Sequence, residues 1–135
     1  MVFIDTASPF FMFLASFVSG LFFLVVFAWL YRKFTPMREI TLIRQGNTAA
    51  AISFGGSMVG FAIPLGRAIE QSDSMADLFI WSMCGLLVQM LVFTLAHRVM
   101  PEIARRIEAG KQSEAILLAF SSVAVGILNA ASMTL

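Results

Sequence analysis

The sequence predicts an all-α membrane protein with four transmembrane helices, arranged as two helical hairpins. Four apolar stretches carry this prediction, and each is close to the roughly 20 residues that a helix needs to cross the hydrocarbon of a bilayer. They cover residues 10–31, 48–66, 78–96 and 115–135. Composition agrees, because 59% of the 135 residues are hydrophobic and only 13% are charged, against roughly 25% charged in ordinary soluble domains. We expect one transmembrane domain over residues 1–135.

The first span, residues 10–31, is rich in phenylalanine and is expected to be retained as a membrane helix. A secretory signal peptide begins with a basic segment, and no lysine or arginine precedes residue 10. The bulky residues of this span and of the third are expected to face lipid or to clamp the outside of the bundle.

A proline opens the connection after the first span and another opens the connection after the third. Because proline suits the first turn of a helix, Pro36 and Pro101 each predict the start of a short helix. After Pro101, one face carries Ile103, Ala104 and Ile107, and the opposite face is charged. This pattern predicts an amphipathic segment that lies at the lipid headgroups.

Basic residues are concentrated in these two connections, and the asymmetry predicts an orientation. The connection between the second and third spans has Arg67 as its one basic residue. The positive-inside rule then places the first and third connections in the cytoplasm and both termini outside. Docking of anionic lipid or of a cytoplasmic membrane-associated protein is one interpretation of the basic residues, and simple interfacial anchoring is the other. The candidates are Arg38, Arg44, Arg105, Arg106 and Lys111.

The two halves of the chain resemble each other at an offset of 64 residues. Residues 46–66 match residues 110–130 without a gap at six positions, which include Gly46 with Gly110 and Ala51 with Ala115. Each half also runs in the same order of span, basic residues, proline, amphipathic stretch, glycine and second span. The sequence therefore predicts internal repeats over about residues 10–66 and 78–135, related as parallel rather than inverted repeats.

Small residues line one face of the second span and one face of the fourth. Small side chains let helix backbones approach closely, and close packing is a main source of cohesion where lipid supplies no hydrophobic drive between helices. These two helices are predicted to be the inner pair of the bundle or an oligomer interface. The residues that carry the prediction are Gly56, Gly60, Ser122, Gly126 and Ala130.

Polar residues inside the spans are the candidates for a pathway across the membrane. Lipid cannot satisfy such groups, so they often mark functional sites, but hydrogen bonds between packed helices explain them as simply. The three candidates are Gln89, Asn129 and Ser121. In addition, Pro64 predicts a kink near the outer end of the second span.

Catalytic and metal-binding signatures are missing from the sequence. No Walker loop, GxSxG, HExxH or paired-carboxylate motif is present. Cys84 is the single cysteine, which excludes an intrachain disulfide and a CxxC metal site. The net charge of +1 gives no indication of a nucleic-acid partner. We therefore expect neither an enzyme nor a bound cofactor or metal.

Short motifs distributed over residues 46–134 indicate a family. They are Gly46-Asn47-Thr48, Gly55-Gly56, Pro64-Leu65, Asp77-Leu78, Trp81, Gln89, Pro101, Ile107-Glu108-Ala109-Gly110 and Gly126-Ile127-Leu128-Asn129. Together they resemble the YjfL family of bacterial inner-membrane proteins, which is defined by a domain of unknown function. The resemblance implies a bacterial inner membrane and brings no established activity. Family members are often associated with phage-shock-protein-A-like membrane proteins and with ATP-grasp enzymes, which implies a role in envelope stress.

Two functions are consistent with these observations. The first is a structural or partner-recruiting component of the inner membrane, expected to be homo-oligomeric and linked to envelope stress. The alternative is an oligomeric small channel or transporter subunit. The two differ in whether Gln89, Asn129 and Ser121 line a hydrated cavity or a dry helix contact.

Overall fold

Long and short helices alternate along the computed structural model, which describes residues 8–34 and 39–133. Pro36 and Arg38 lie outside the described residues. The four long helices are each long and apolar enough to cross a membrane, so the prediction of an all-α protein with four candidate spans is confirmed. The helices are α1 (Ser8–Phe34), α2 (Glu39–Arg44), α3 (Thr48–Gln71), α4 (Met75–Val99), α5 (Ile103–Glu108) and α6 (Gln112–Ala131).

The long helix α3 lies at the centre of the bundle and contacts α1, α4 and α6. It runs antiparallel to α1, so that Phe61 stacks on Phe27 with ring centroids 5.0 Å apart. The pair α3 and α6 runs parallel and forms the most extensive contact between two helices. This arrangement makes α3 and α6 the inner pair within one chain.

The phenylalanines of α1 divide between two environments. Phe13 and Phe17 are more than half exposed and stack on each other at 5.9 Å, as expected of residues that face lipid. Phe23 and Phe27 are buried instead, at 3% and 1% exposure, on the side of α1 that faces the bundle. The half of α1 that follows Gly20 therefore holds this helix to the rest of the protein.

The short helices α2 and α5 end in the same way, at glycines that adopt a left-handed backbone conformation. Gly46 and Gly110 both have a φ of 86°, which glycine adopts without steric penalty. The amide of the next residue then bonds five residues back, from Asn47 to the Leu42 carbonyl at 2.9 Å and from Lys111 to the Arg106 carbonyl at 3.0 Å. These bonds complete the two helix ends and turn the chain into α3 and α6.

Both short helices lie at one end of the bundle, which we call the short-helix end. The apolar side of α5 packs on protein here, since Ile103 and Ile107 are 2% and 0% exposed within the main core. The apolar side of α5 is thus covered by protein instead of facing lipid, and the position of α5 at the headgroups stays a prediction. The physical reason for this packing is the tight turn at Gly110, which folds α6 back against α5. The charged face of α5, with Arg105 and Glu108, stays exposed.

Asn47 joins the two halves of the chain at the short-helix end. Its side-chain Oδ1 accepts a hydrogen bond from the Ala50 amide at 3.0 Å, which caps the beginning of α3. Its Nδ2 donates to the carbonyl oxygens of Ile107 and Glu108, each at 3.1 Å. The ends of a helix leave backbone amides and carbonyls without a partner in the helix. The Asn47 side chain therefore supplies partners for an amide in the first turn of α3 and for two carbonyls in the last turn of α5.

We predict that Asn47→Asp is destabilising although aspartate is itself a good N-cap residue. The variant keeps the acceptor for the Ala50 amide but loses both donors to α5, at about 1 kcal/mol of unfolding free energy for each lost bond. Asn47→Ala should cost more, because the cap is lost as well. Unfolding by SDS titration in mixed micelles measures both.

The matched control for this prediction is Ser74→Ala at the beginning of α4. The Ser74 hydroxyl caps the Asp77 amide at 3.1 Å within its own helix, so its loss should cost about 1 kcal/mol as an ordinary cap. An Asn47→Asp variant as stable as the natural protein would show that the link between α3 and α5 contributes nothing.

Candidate functional site

The contact between α3 and α6 is made by backbone atoms. A Cβ atom placed on Gly56 would lie 2.7 Å from the Cα of Ala119, and one placed on Gly60 would lie 2.6 Å from the carbonyl oxygen of Ser122. A Cβ on Gly126 would lie 2.9 Å from the Gly60 carbonyl carbon. No side chain fits at these three positions, so glycine is what permits the two backbones to touch.

Pro64 explains why the Gly60 carbonyl is available for this contact. Proline has no amide hydrogen, so the carbonyl four residues before it loses its helical hydrogen bond. In this structure that carbonyl is the group that approaches Gly126. The helix α3 nevertheless continues through Pro64 to Gln71, and Pro64 itself is buried. Ala130, one turn beyond Gly126, is also buried, at 9% exposure.

Gln89 holds α4 to this inner pair. Its side-chain Nε2 donates to Ser122 of α6, to the backbone carbonyl at 3.3 Å and to the hydroxyl at 3.2 Å. Asn129 makes a second link, from its Nδ2 to the Gly85 carbonyl at 3.3 Å. Ser121 is half-buried and lies outside both links. Two of the three candidate polar residues therefore bond between helices.

A second buried polar group, which the sequence analysis missed, lies where α1, α2 and α3 meet. Tyr31 and Glu39 are both 0% exposed. The Tyr31 hydroxyl lies within interaction range of the Glu39 carboxyl and of the hydroxyls of Ser53 and Ser57. Ser53 and Ser57 are also buried, at 0% and 2% exposure. We call these four residues the tyrosine cluster.

The alignment of the two halves of the sequence, 64 residues apart, indicates this cluster. It relates Glu39 to Ile103, the buried first residue of α5. The aligned position in the other half is a core isoleucine, so an acidic residue here is expected to be buried as well. This is unusual, because a buried carboxyl needs polar partners. Tyr31 is the one tyrosine of the chain, and its hydroxyl at the end of an apolar span is such a partner.

The basic candidates at the short-helix end differ in their surroundings. Arg106 pairs with Glu102 at 3.9 Å and with Glu114 on α6, so its charge is compensated. The side chains of Arg44, Arg105 and Lys111 are exposed, and Arg38 lies outside the described residues.

An open groove of about 410 Å³ lies between the two glycine turns. Its walls are largely polar and include Gln45, Asn47, Glu108 and Gln112. The groove and the exposed basic side chains belong to the same end of the protein. This end is therefore the part of the described structure that offers a charged surface with a recess.

Comparison with known proteins identifies relatives over nearly the whole chain. The family described as Domain of Unknown Function (DUF350) matches residues 5–133. Two proteins named UPF0719 inner membrane protein YjfL, from Escherichia coli strain K12 and from Escherichia coli O157:H7, are each 35% identical over 122 residues. These alignments cover 90% of this chain and 92% of each relative. No solved structure gives a significant match.

We predict that alanine at Gly60 or Gly126 destabilises the bundle. Alanine improves helix propensity by up to about 1 kcal/mol, but here its methyl group would overlap the facing backbone, and overpacking costs about 1–3 kcal/mol or more. Thermal unfolding in detergent should therefore begin at a lower temperature for both variants.

Gly55 and Gly66 are the matched controls on the same helix. A Cβ at either position meets no atom within 4 Å, so Gly55→Ala and Gly66→Ala should leave stability unchanged or raise it. If all four alanine variants behave alike, the close α3–α6 contact is contradicted.

Proposed function

The chain belongs to the DUF350 family, and we propose that it is a structural component of a bacterial inner membrane that recruits a cytoplasmic partner through its short-helix end. The multi-pass inner-membrane location agrees with the names of its relatives and with four apolar helices. The recruiting role is proposed here as a binding function without catalysis. A link to envelope stress rests on the family resemblance.

The observation that supports this proposal best is the anchoring of α5. Its apolar side lies in the main core and its last turn is bonded to Asn47. The charged side of α5 is consequently held in a fixed position outside the core. The backbone that carries Arg105 and Lys111 needs no ordering when a partner binds, which lowers the entropic cost of binding.

The internal repeat that we propose supports the same role for both halves. The offset of 64 residues relates the bounds of α2 to those of α5 and the first residue of α3 to that of α6. The two glycine turns then lie side by side across the groove. A repeated hairpin of this kind presents two similar turns to one partner, and we propose that both contribute to the docking surface.

The channel alternative draws less support from the geometry. Gln89 and Asn129 bond directly to neighbouring helices, and the largely enclosed cavity beside Gln89 measures about 10 Å³. A conducting pathway needs a continuous wetted line of polar groups. The glycine faces are also occupied within the chain, so a homo-oligomer, which we retain in the proposal, would form through other helix faces.

The proposal requires the short-helix end to lie in the cytoplasm. Single cysteines that replace Arg105 or Asp73, introduced after Cys84→Ser, should respond differently to an impermeant thiol reagent added outside spheroplasts. We expect labelling at position 73 and protection at position 105 until the membrane is opened. The reverse pattern would contradict the orientation and the proposed docking surface with it.

Charge reversal tests the recruitment directly. Arg105→Glu with Lys111→Glu should reduce capture of cytosolic proteins by the nanodisc-embedded protein about tenfold or more, because each basic residue near an anionic surface contributes on the order of 1 kcal/mol. Arg106 is left unchanged because it pairs with Glu114. Quantitative mass spectrometry of the captured proteins provides the measurement.

The matched control keeps the charge and changes the residue, with Arg105→Lys and Lys111→Arg in one protein. This variant should capture the same proteins in the same amounts as the natural sequence. Equal capture by the reversed and the charge-preserving variants would show that this surface recruits no partner.

A further inference from the structure

A small, largely enclosed cavity lies in the middle of the bundle, beside Gln89. Ser57 of α3, Gln89 of α4 and Ser122 of α6 supply its polar lining. Phe27, Val92, Phe93 and Leu118 supply apolar walls. Six of these seven side chains are nearly inaccessible from outside, with exposures between 1% and 7%, and Val92 is half-buried.

Gln89 has an unused acceptor at this cavity. An amide side chain offers two N–H donors and an oxygen that can accept two hydrogen bonds. The Gln89 Nε2 is bonded to Ser122, but its Oε1 has no hydrogen-bond partner among the described residues, and the residue is 2% exposed. Buried polar atoms in folded proteins nearly always have a partner, which is either a protein group or an ordered water.

We propose that this cavity binds one water molecule. The water would donate a hydrogen bond to Gln89 Oε1 and would bond in turn to the hydroxyls of Ser57 and Ser122. The cavity volume of about 10 Å³ is about what one buried water molecule requires. Two to four polar partners are what a buried water requires, and this cavity supplies three.

The bound water joins the two halves of the protein. Ser57 lies on α3 in the first half and is a member of the tyrosine cluster. Gln89 and Ser122 form a hydrogen-bonded pair in the second half. With the water in place, Ser57 of the first half is linked by hydrogen bonds to the Gln89–Ser122 pair of the second half.

Radiolytic labelling of the protein in nanodiscs tests this site. Brief X-ray exposure converts a bound internal water into hydroxyl radical, which oxidises the side chains next to it. Leu118 lines the cavity at 3% exposure, whereas Leu78 is equally buried, at 2%, in the separate cluster at the other end of the bundle. We expect oxidation of Leu118 to exceed that of Leu78 severalfold.

Two variants remove partners of the water. Gln89→Leu and Ser57→Ala should each lower the oxidation of Leu118 toward the level of Leu78, and Ser57→Ala carries the test if the leucine variant does not fold. Ser82→Ala is the matched control, because Ser82 is fully buried on α4 but does not line the cavity. It should leave the labelling unchanged. Equal oxidation of Leu118 and Leu78 in the natural protein, or oxidation of Leu118 that persists in both variants, would overturn the proposal.

Discussion

Direct backbone contact between α3 and α6 determines how the other helices of the bundle are placed. Lipid gives no hydrophobic drive for helices to associate, so the gain must come from close packing and from hydrogen bonds between helices. Gly56, Gly60 and Gly126 allow this approach because a side chain at any of them would overlap the facing helix. The contact also fixes the register of the pair, and this register presents Ser122 to Gln89 on α4.

The same register determines what the short-helix end can do. Two parallel helices packed along their length begin at the same end, so the turns at Gly46 and Gly110 come together there. Asn47 can then reach across to the last carbonyls of α5. The charged side of α5 is held outward as a result, and the proposed recruitment of a partner follows from a contact made in the middle of the membrane.

The sequence predicts the spans and the inner pair because both depend on one-dimensional patterns of apolar and small residues. It does not predict which phenylalanines of α1 turn inward, since Phe23 and Phe27 differ from Phe13 and Phe17 in their neighbours and not in their chemistry. The position of α5 against protein depends on how tightly the turn at Gly110 closes. The tyrosine cluster was missed because Glu39 and Tyr31 are distant from Ser53 and Ser57 in the sequence and meet only through the packing of α1, α2 and α3.

Solid-state NMR of the protein in lipid bilayers tests the central contact most directly. Glycine labelled with carbon-13 should give a cross-peak between the Gly60 carbonyl carbon and the Gly126 Cα, which face each other across the helix pair. Assignment follows from Gly60→Ala, which should remove the peak. The cross-peak should persist when labelled protein is diluted into unlabelled protein, because both glycines belong to one chain. A cross-peak that is missing, or that disappears on dilution, would contradict it.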